Sequence, residues 1–172
     1  MVVRTAVVAG ASGLVGGCLL RLLLADLDYG RVVSLGRRTL DMRHPKLEQQ
    51  VVDFLALERL EHFPRADDVF SCLGTTIRAA GSREAFRRVD HDAVVALARA
   101  AHQAGATRFL HVTALGAHPR SRVFYNRVKG ETERDVAALG LPTVVALRPS
   151  LLDGPRQQVR PAERVEIGRA HV

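Results

Sequence analysis

Tyr125 and Lys129 are the pair whose types and spacing could move a proton. Four residues apart in Y-N-R-V-K, they share one helical face about one turn apart. An ammonium beside a phenol favours the phenolate. It draws a tyrosine down from its usual pKa of about 10 and makes it a usable general acid–base. Taken alone, Tyr-x-x-x-Lys is a common helical face, but Lys129 is one of only two lysines in the chain. A second set of residues could hold an anion. Glycines 10, 13 and 16 punctuate V-V-A-G-A-S-G-L-V-G, between an apolar run at Val2–Ala9 and a Leu-rich segment at Leu19–Leu27. A buried strand turning sharply into a helix presents backbone N–H groups, here those around Ser12, Gly13, Leu14 and Val15, to a pyrophosphate. Gly10 permits the turn, Gly13 leaves room for the phosphates and Gly16 lets the helix pack on the strand. The spacing is G-x-x-G-x-x-G, slightly different from the usual G-x-G-x-x-G.

Further candidates follow the ends of successive strands. Arg37 lies 21 residues beyond Gly16, and Arg38 is next to it. An acidic residue there would bind the ribose 2′-hydroxyl of NAD, whereas arginine suits the 2′-phosphate of NADP(H). Ordinary surface arginines in an arginine-rich chain are the competing explanation. Asp53 and Phe54 could meet an adenine amino group and ring edge, or simply cap a helix. Leu73, Gly74, Thr75 and Thr76 offer a turn and hydroxyls beside a cofactor. Thr113, at the end of the fifth apolar run, is placed to orient a carbonyl held by Tyr125, or is only a β-branched strand residue.

These residues need a frame, and the pattern supplies one. Strand-like runs are expected at Thr5–Ala9, Arg31–Leu35, Leu47–Val52, Asp68–Cys72, Arg108–Thr113 and Thr143–Leu147. Helices are expected at Leu14–Asp26, Arg83–Ala104 and about Ser121–Ala138, with Gly105 and Gly140 just past the last two. Such alternation predicts a doubly wound α/β fold with six parallel strands, its ligands at the strands' C-terminal ends.

Composition narrows the class. The 172 residues, 47% apolar and 25% charged, suit one globular domain. All of the 25 basic residues except Lys46 and Lys129 are arginine, scattered and without tryptophan, so the net charge of +7 does not make a nucleic-acid surface. No apolar run is long enough to predict a membrane span. Cys18 and Cys72 lack disulfide or metal spacing, and the expected location is the reducing cytoplasm. The expected partner is a small-molecule substrate, with no metal and an open oligomeric state.

Together, G-A-S-G-L-V-G, H-V-T-A-L-G-A and Y-N-R-V-K resemble the short-chain dehydrogenase/reductase superfamily. S-C-L-G-T-T, A-G-S-R-E-A-F-R-R-V-D-H-D, S-R-V-F-Y-N-R-V-K-G-E and L-R-P-S-L-L are similar to its atypical branch related to the Tat-interacting oxidoreductase. The resemblance covers about residues 5–160. It implies a Rossmann fold, NADPH binding and hydride transfer at a site of Thr113, Tyr125 and Lys129. Two departures stand out. Thr113-Ala114 replaces the Ser-Ser of many relatives, and Asp90 stands where extended relatives often carry the asparagine of the catalytic tetrad, which questions a water relay to Lys129. A non-catalytic NADPH-binding regulator and a nucleotide-sugar epimerase or dehydratase are the alternatives. The chain is also expected to be a domain of residues 1–165 lacking its C-terminal substrate lobe. The tail at 166–172 is expected to be non-native, because its codons can spell a common sequencing adapter.

Overall fold

The computed structural model describes residues 3–57, 62–150 and 152. The expected domain boundary at residue 165 and the tail at 166–172 lie outside them.

Six strands form one all-parallel sheet: β1 (Arg4–Ala9), β2 (Tyr29–Gly36), β3 (Leu47–Val51), β4 (Asp68–Ser71), β5 (Arg108–Val112) and β6 (Thr143–Leu147). Their order across the sheet is β3-β2-β1-β4-β5-β6, the doubly wound order in which direction reverses between β1 and β4. Central strands are continuous apolar runs because helices cover both faces. On one face Ala6, Val8 and Val32 pack under Leu20, Leu23 and Leu24 of α1 (Leu14–Ala25). On the other, Val7, Val33, Val69 and Phe109 meet Val94, Leu97 and Ala101 of α4 (Ala93–Gln103) and Val136 of α5 (Phe124–Ala137). Two short helices, α2 (Ile77–Ala80) and α3 (Arg83–Arg87), precede α4.

The helix expected at Arg83–Ala104 is interrupted. Between α3 and α4 the chain widens into a π-helical turn, Arg88–Asp92, which carries Asp90 inward to 1% exposure. Such turns inside helices recur at functional sites. The N-terminal edges of the strands are tied by a buried carboxylate. Asp68 is fully buried, accepts from the Tyr29 hydroxyl at 2.6 Å and from Arg108 Nη2 at 2.9 Å, and also pairs with Arg4. This network joins β1, β2, β4 and β5 at the end opposite the candidate site.

Candidate functional site

The glycine loop leaves β1 at Gly10, whose φ of +85° lies in the left-handed region. A Cβ there would stand 2.7 Å from the Cys72 carbonyl oxygen, so a side chain would drive the loop off the end of β4. At Gly16 a Cβ would stand 2.2 Å from the Gly10 carbonyl oxygen, which is why α1 can start directly against the turn. Gly13 is the N-cap of α1. No side chain caps this end and no acidic residue lies in its first turn, so the amides and the positive end of the helix dipole face outward. This end fits a pyrophosphate.

Beside it, Ala11, Ser12, Ser34, Gly36, Arg37 and Arg38 line a cavity of about 380 Å³ at the C-terminal ends of β1 and β2. The structure therefore brings both arginines next to the glycine loop, with their side chains exposed. Asp53 follows β3 and is exposed, its Oδ1 accepting from the Leu55 amide at 3.0 Å. Phe54 departs from expectation. Its ring is 8% exposed within the core that includes Val52 and Leu57, because an aromatic just past a strand is worth more buried than wet.

After β4, Leu73 packs against the core, and Gly74 approaches the heart of the site. A Cβ on Gly74 would come within 3.4 Å of Asp90 Oδ1 and 3.7 Å of Lys129 Nζ. The Thr75 amide donates to Asp90 Oδ2 at 2.8 Å. Thr76 serves the helix instead. Its hydroxyl accepts from the Ala79 amide at 3.0 Å and caps α2.

Tyr125 and Lys129 sit on α5 as the spacing requires. Tyr125 is half-buried, its ring 5.4 Å from that of Phe86, and its hydroxyl makes no hydrogen bond within the described residues. Lys129 is buried at 5% exposure, with Nζ 2.7 Å from Asp90 Oδ1. Asp90 thus touches Lys129 directly, where the sequence leaves a water relay in question. It ties α5, the β4 loop and the π-helical turn together, and the Thr132 hydroxyl reaches its backbone carbonyl at 2.9 Å. The loop after β5 crosses α5 at Gly130, where a Cβ would stand 2.2 Å from the His118 carbonyl carbon. Only glycine lets that loop lie so close to the Tyr125 helix.

Thr113 is placed differently from expectation. It is 4% exposed, and its hydroxyl donates to Glu133 Oε1 at 2.6 Å. That commits its only proton to a carboxylate, so it has none to offer a carbonyl. Glu133 is also gripped by Arg148, whose Nε lies 2.9 Å from Oε1. Burial would raise the Glu133 carboxyl, but the Arg148 and Thr113 hydrogen bonds outweigh it and hold the group below its ordinary 4.5. Asp90 and Glu133 are the residues whose contacts the sequence did not disclose. Their signal was there: Asp90 follows Phe86 by four, and Glu133 follows Lys129 by four, so both charges fall on inward helical phases.

Among the described residues no group of three His, Cys, Asp or Glu could hold a metal ion, and no helix is long and apolar enough to cross a membrane.

A doubly wound sheet, a glycine turn into an uncapped helix and a Tyr–Lys helix beyond the switch point define a Rossmann dinucleotide-binding protein of the short-chain dehydrogenase type. Residues 10–170 match the NAD(P)H-binding family, and the chain belongs to it. It is 34% identical over 168 residues to protein fmp52, mitochondrial, of Aspergillus niger, covering 94% of this chain and 72% of that one. It is 37% identical over 153 residues to FMP52 of Eremothecium gossypii (88% and 68%), and 36% identical over 164 residues to protein HTATIP2 of Rattus norvegicus (93% and 67%). Among solved structures, MoeE5 in complex with UDP-glucose and NAD matches with a TM-score of 0.75 at 23% identity, covering 90% of this chain and 56% of that one. The Bordetella bronchiseptica enzyme WbmH in complex with NAD+ also matches with 0.75, at 18% identity, covering 96% and 63%. At these identities the likeness is one of fold, and the chain spans about three fifths of those structures. The expected cytoplasmic location is overturned, because the fungal relatives are named as mitochondrial proteins. A low cysteine count speaks against an oxidising compartment and does not separate the cytoplasm from a mitochondrion.

Proposed function

We propose that this protein is an NADPH-dependent oxidoreductase that transfers hydride to or from a carbonyl or hydroxyl group of a small molecule. The observation that carries the reading is Lys129, on the same face of α5 as Tyr125 and buried with its Nζ 2.7 Å from Asp90 of the π-helical turn, while the Tyr125 hydroxyl has no partner among the described residues. The uncapped end of α1 would take the pyrophosphate, and Arg37 with Arg38 the 2′-phosphate through charge-assisted hydrogen bonds. When bound, NADPH supplies the hydride. Lys129 would then hold the nicotinamide ribose, reached past the bare Cα of Gly74, and Tyr125 would protonate the substrate oxygen. Asp90 keeps the ammonium in place. Thr113, whose hydroxyl donates to Glu133, ties the end of β5 to α5 and does not orient the carbonyl.

That last feature favours a second reading, an NADPH-binding regulator without turnover. A panel of aldehydes and ketones with NADPH, followed by loss of cofactor absorbance, separates the two. Oxidation that depends on an added carbonyl supports the enzyme; tight NADPH binding with none across the panel supports the regulator.

A further inference from the structure

The connection between β2 and β3 is held by a side chain that the proposed chemistry leaves unused. Gln49 on β3 and Ser34 on β2 are register partners on neighbouring parallel strands, so their side chains lie on one face of the sheet. Val32, two residues before Ser34, packs under α1, and this fixes the face as the one α1 covers. Ser34, Arg37, Arg38 and Leu40 line the cavity beside the glycine loop. Gln49 is half-buried, and its amide meets the loop backbone at three points. Its Oε1 accepts from the Leu40 amide at 2.6 Å, while Nε2 donates to the Leu40 carbonyl at 3.1 Å and to the Met42 carbonyl at 3.0 Å. A primary amide carries the one acceptor and two donors that these backbone groups require, and no carboxylate, hydroxyl or ammonium does. Leu40 and Met42 also pack on the apolar cluster under α1. A second anchor stands at the other end of the loop. The Val52 amide donates to the Gly36 carbonyl at 2.9 Å, and a Cβ on Gly36 would stand 3.0 Å from the Arg38 carbonyl oxygen, so the backbone doubles back as it leaves β2. Arg37, Arg38 and Thr39 are thus a short exposed stretch between two fixed points.

We propose that Gln49 is a positioning residue for cofactor choice: its amide fixes the stretch that carries Arg37 and Arg38, so that both guanidiniums stand ready for a 2′-phosphate. The inference rests on the reading of Arg37 and Arg38 as the 2′-phosphate site. An arginine side chain loses freedom when it grips a ligand, and a loop that must be ordered at the same moment adds to that loss. Gln49 makes the backbone part of the ordering a property of the free protein. Charge-assisted hydrogen bonds to phosphate are also demanding in distance and angle, so a stretch free to move forfeits contacts that a fixed one keeps. NADH has a hydroxyl where NADPH has the phosphate, and it draws little from either arginine. The pyrophosphate end is built from the glycine loop and the uncapped start of α1, which Gln49 does not hold. The amide therefore acts on the difference between the two cofactors.

Binding measurements test this without any turnover. Gln49→Met keeps the length of the side chain and removes all three hydrogen bonds, whereas Gln49→Glu keeps an acceptor for the Leu40 amide and removes both donors. Calorimetry on the full chain at matched salt would give NADPH and NADH affinities for the wild type, for each Gln49 variant, for a variant with Arg37→Ala and Arg38→Ala, and for that variant combined with Gln49→Met. In both Gln49 variants the preference for NADPH over NADH should fall at least about fivefold, with NADH affinity within about twofold of the wild type. In the arginine-free background Gln49→Met should change NADPH affinity by less than about twofold, because nothing is left there to position. A merely structural role would weaken NADPH equally in both backgrounds. Hydrogen exchange on the cofactor-free wild type needs no variant to fold, and it should find the Leu40 amide exchanging at least about 100-fold more slowly than in an unstructured chain. An unchanged preference in both Gln49 variants would overturn the proposal, as would equal losses for the two cofactors, equal losses with and without the arginines, or a Leu40 amide that exchanges like an unstructured one. An arginine-free variant that kept the wild-type preference would instead refute the 2′-phosphate reading on which the inference rests.

Discussion

Removing Asp90 is the sharpest perturbation of the site. Asp90→Ala takes away the counter-charge of Lys129 and the acceptor of the Thr75 amide, and both side chains of the pair are buried, at 0% and 6% exposure. Deleting one partner of a buried ion pair leaves an uncompensated charge and costs about 3–5 kcal/mol. A domain of this size has roughly 5–15 kcal/mol of stability in total. At about 2–4 °C per kcal/mol, the melting temperature should fall by roughly 6–20 °C. Circular dichroism melts of Asp90→Ala, Lys129→Met and the double variant at pH 7 form a thermodynamic cycle. Lys129→Met should relieve much of the damage in the Asp90→Ala background, because it removes the stranded ammonium. A cost below about 1 kcal/mol for Asp90→Ala, or simple additivity of the two changes, would refute the claim that the pair is buried and coupled.

Other consequences are as direct. NADPH should bind at least tenfold tighter than NADH in calorimetry at matched salt, and Arg37→Asp should erase or reverse the preference. Gly16→Ala puts a methyl 2.2 Å from the Gly10 carbonyl, so it should displace the glycine loop and abolish NADPH binding in a chain that still gives the circular dichroism of an α/β fold. His111 is held at about 4 by burial, below its ordinary 6.5, so the unfolded chain binds the proton first. Its contribution to stability is full above pH 6.5 and is lost as pH falls towards 4. His111→Phe should therefore remove about 2 kcal/mol of the stability difference between urea melts at pH 7 and pH 5.

The sheet was legible because its strands are apolar runs broken by glycine, proline and charge. The bounds of β6 are those expected, and Gly105 and Gly140 end α4 and α5 with φ near +80°. The glycine loop, Arg37 and the Tyr–Lys face were legible for a related reason: each depends on residues close together in sequence. What the pattern hid was long-range. A π-helical turn adds one residue to a helix without breaking its apolar rhythm, so Arg83–Ala104 reads as one helix. Phe54 looks available to a ligand in the sequence, because its burial depends on core neighbours far along the chain. Thr113 looks free there, because Glu133 meets it across 20 residues of loop and helix. A charge on an inward helical phase is the local sign of such contacts.

The role of the Tyr125–Lys129 pair is decided by NADPH affinity and carbonyl turnover measured side by side in the wild type, Tyr125→Phe and Lys129→Met. Phenylalanine removes the proton donor and leaves the cofactor cradle, so turnover should fall roughly 10²–10⁴-fold with NADPH affinity unchanged. Methionine should damage both, because one ammonium serves the ribose and the phenol. Full turnover in Tyr125→Phe would rule out the phenol as proton donor, and the oxidoreductase mechanism with it.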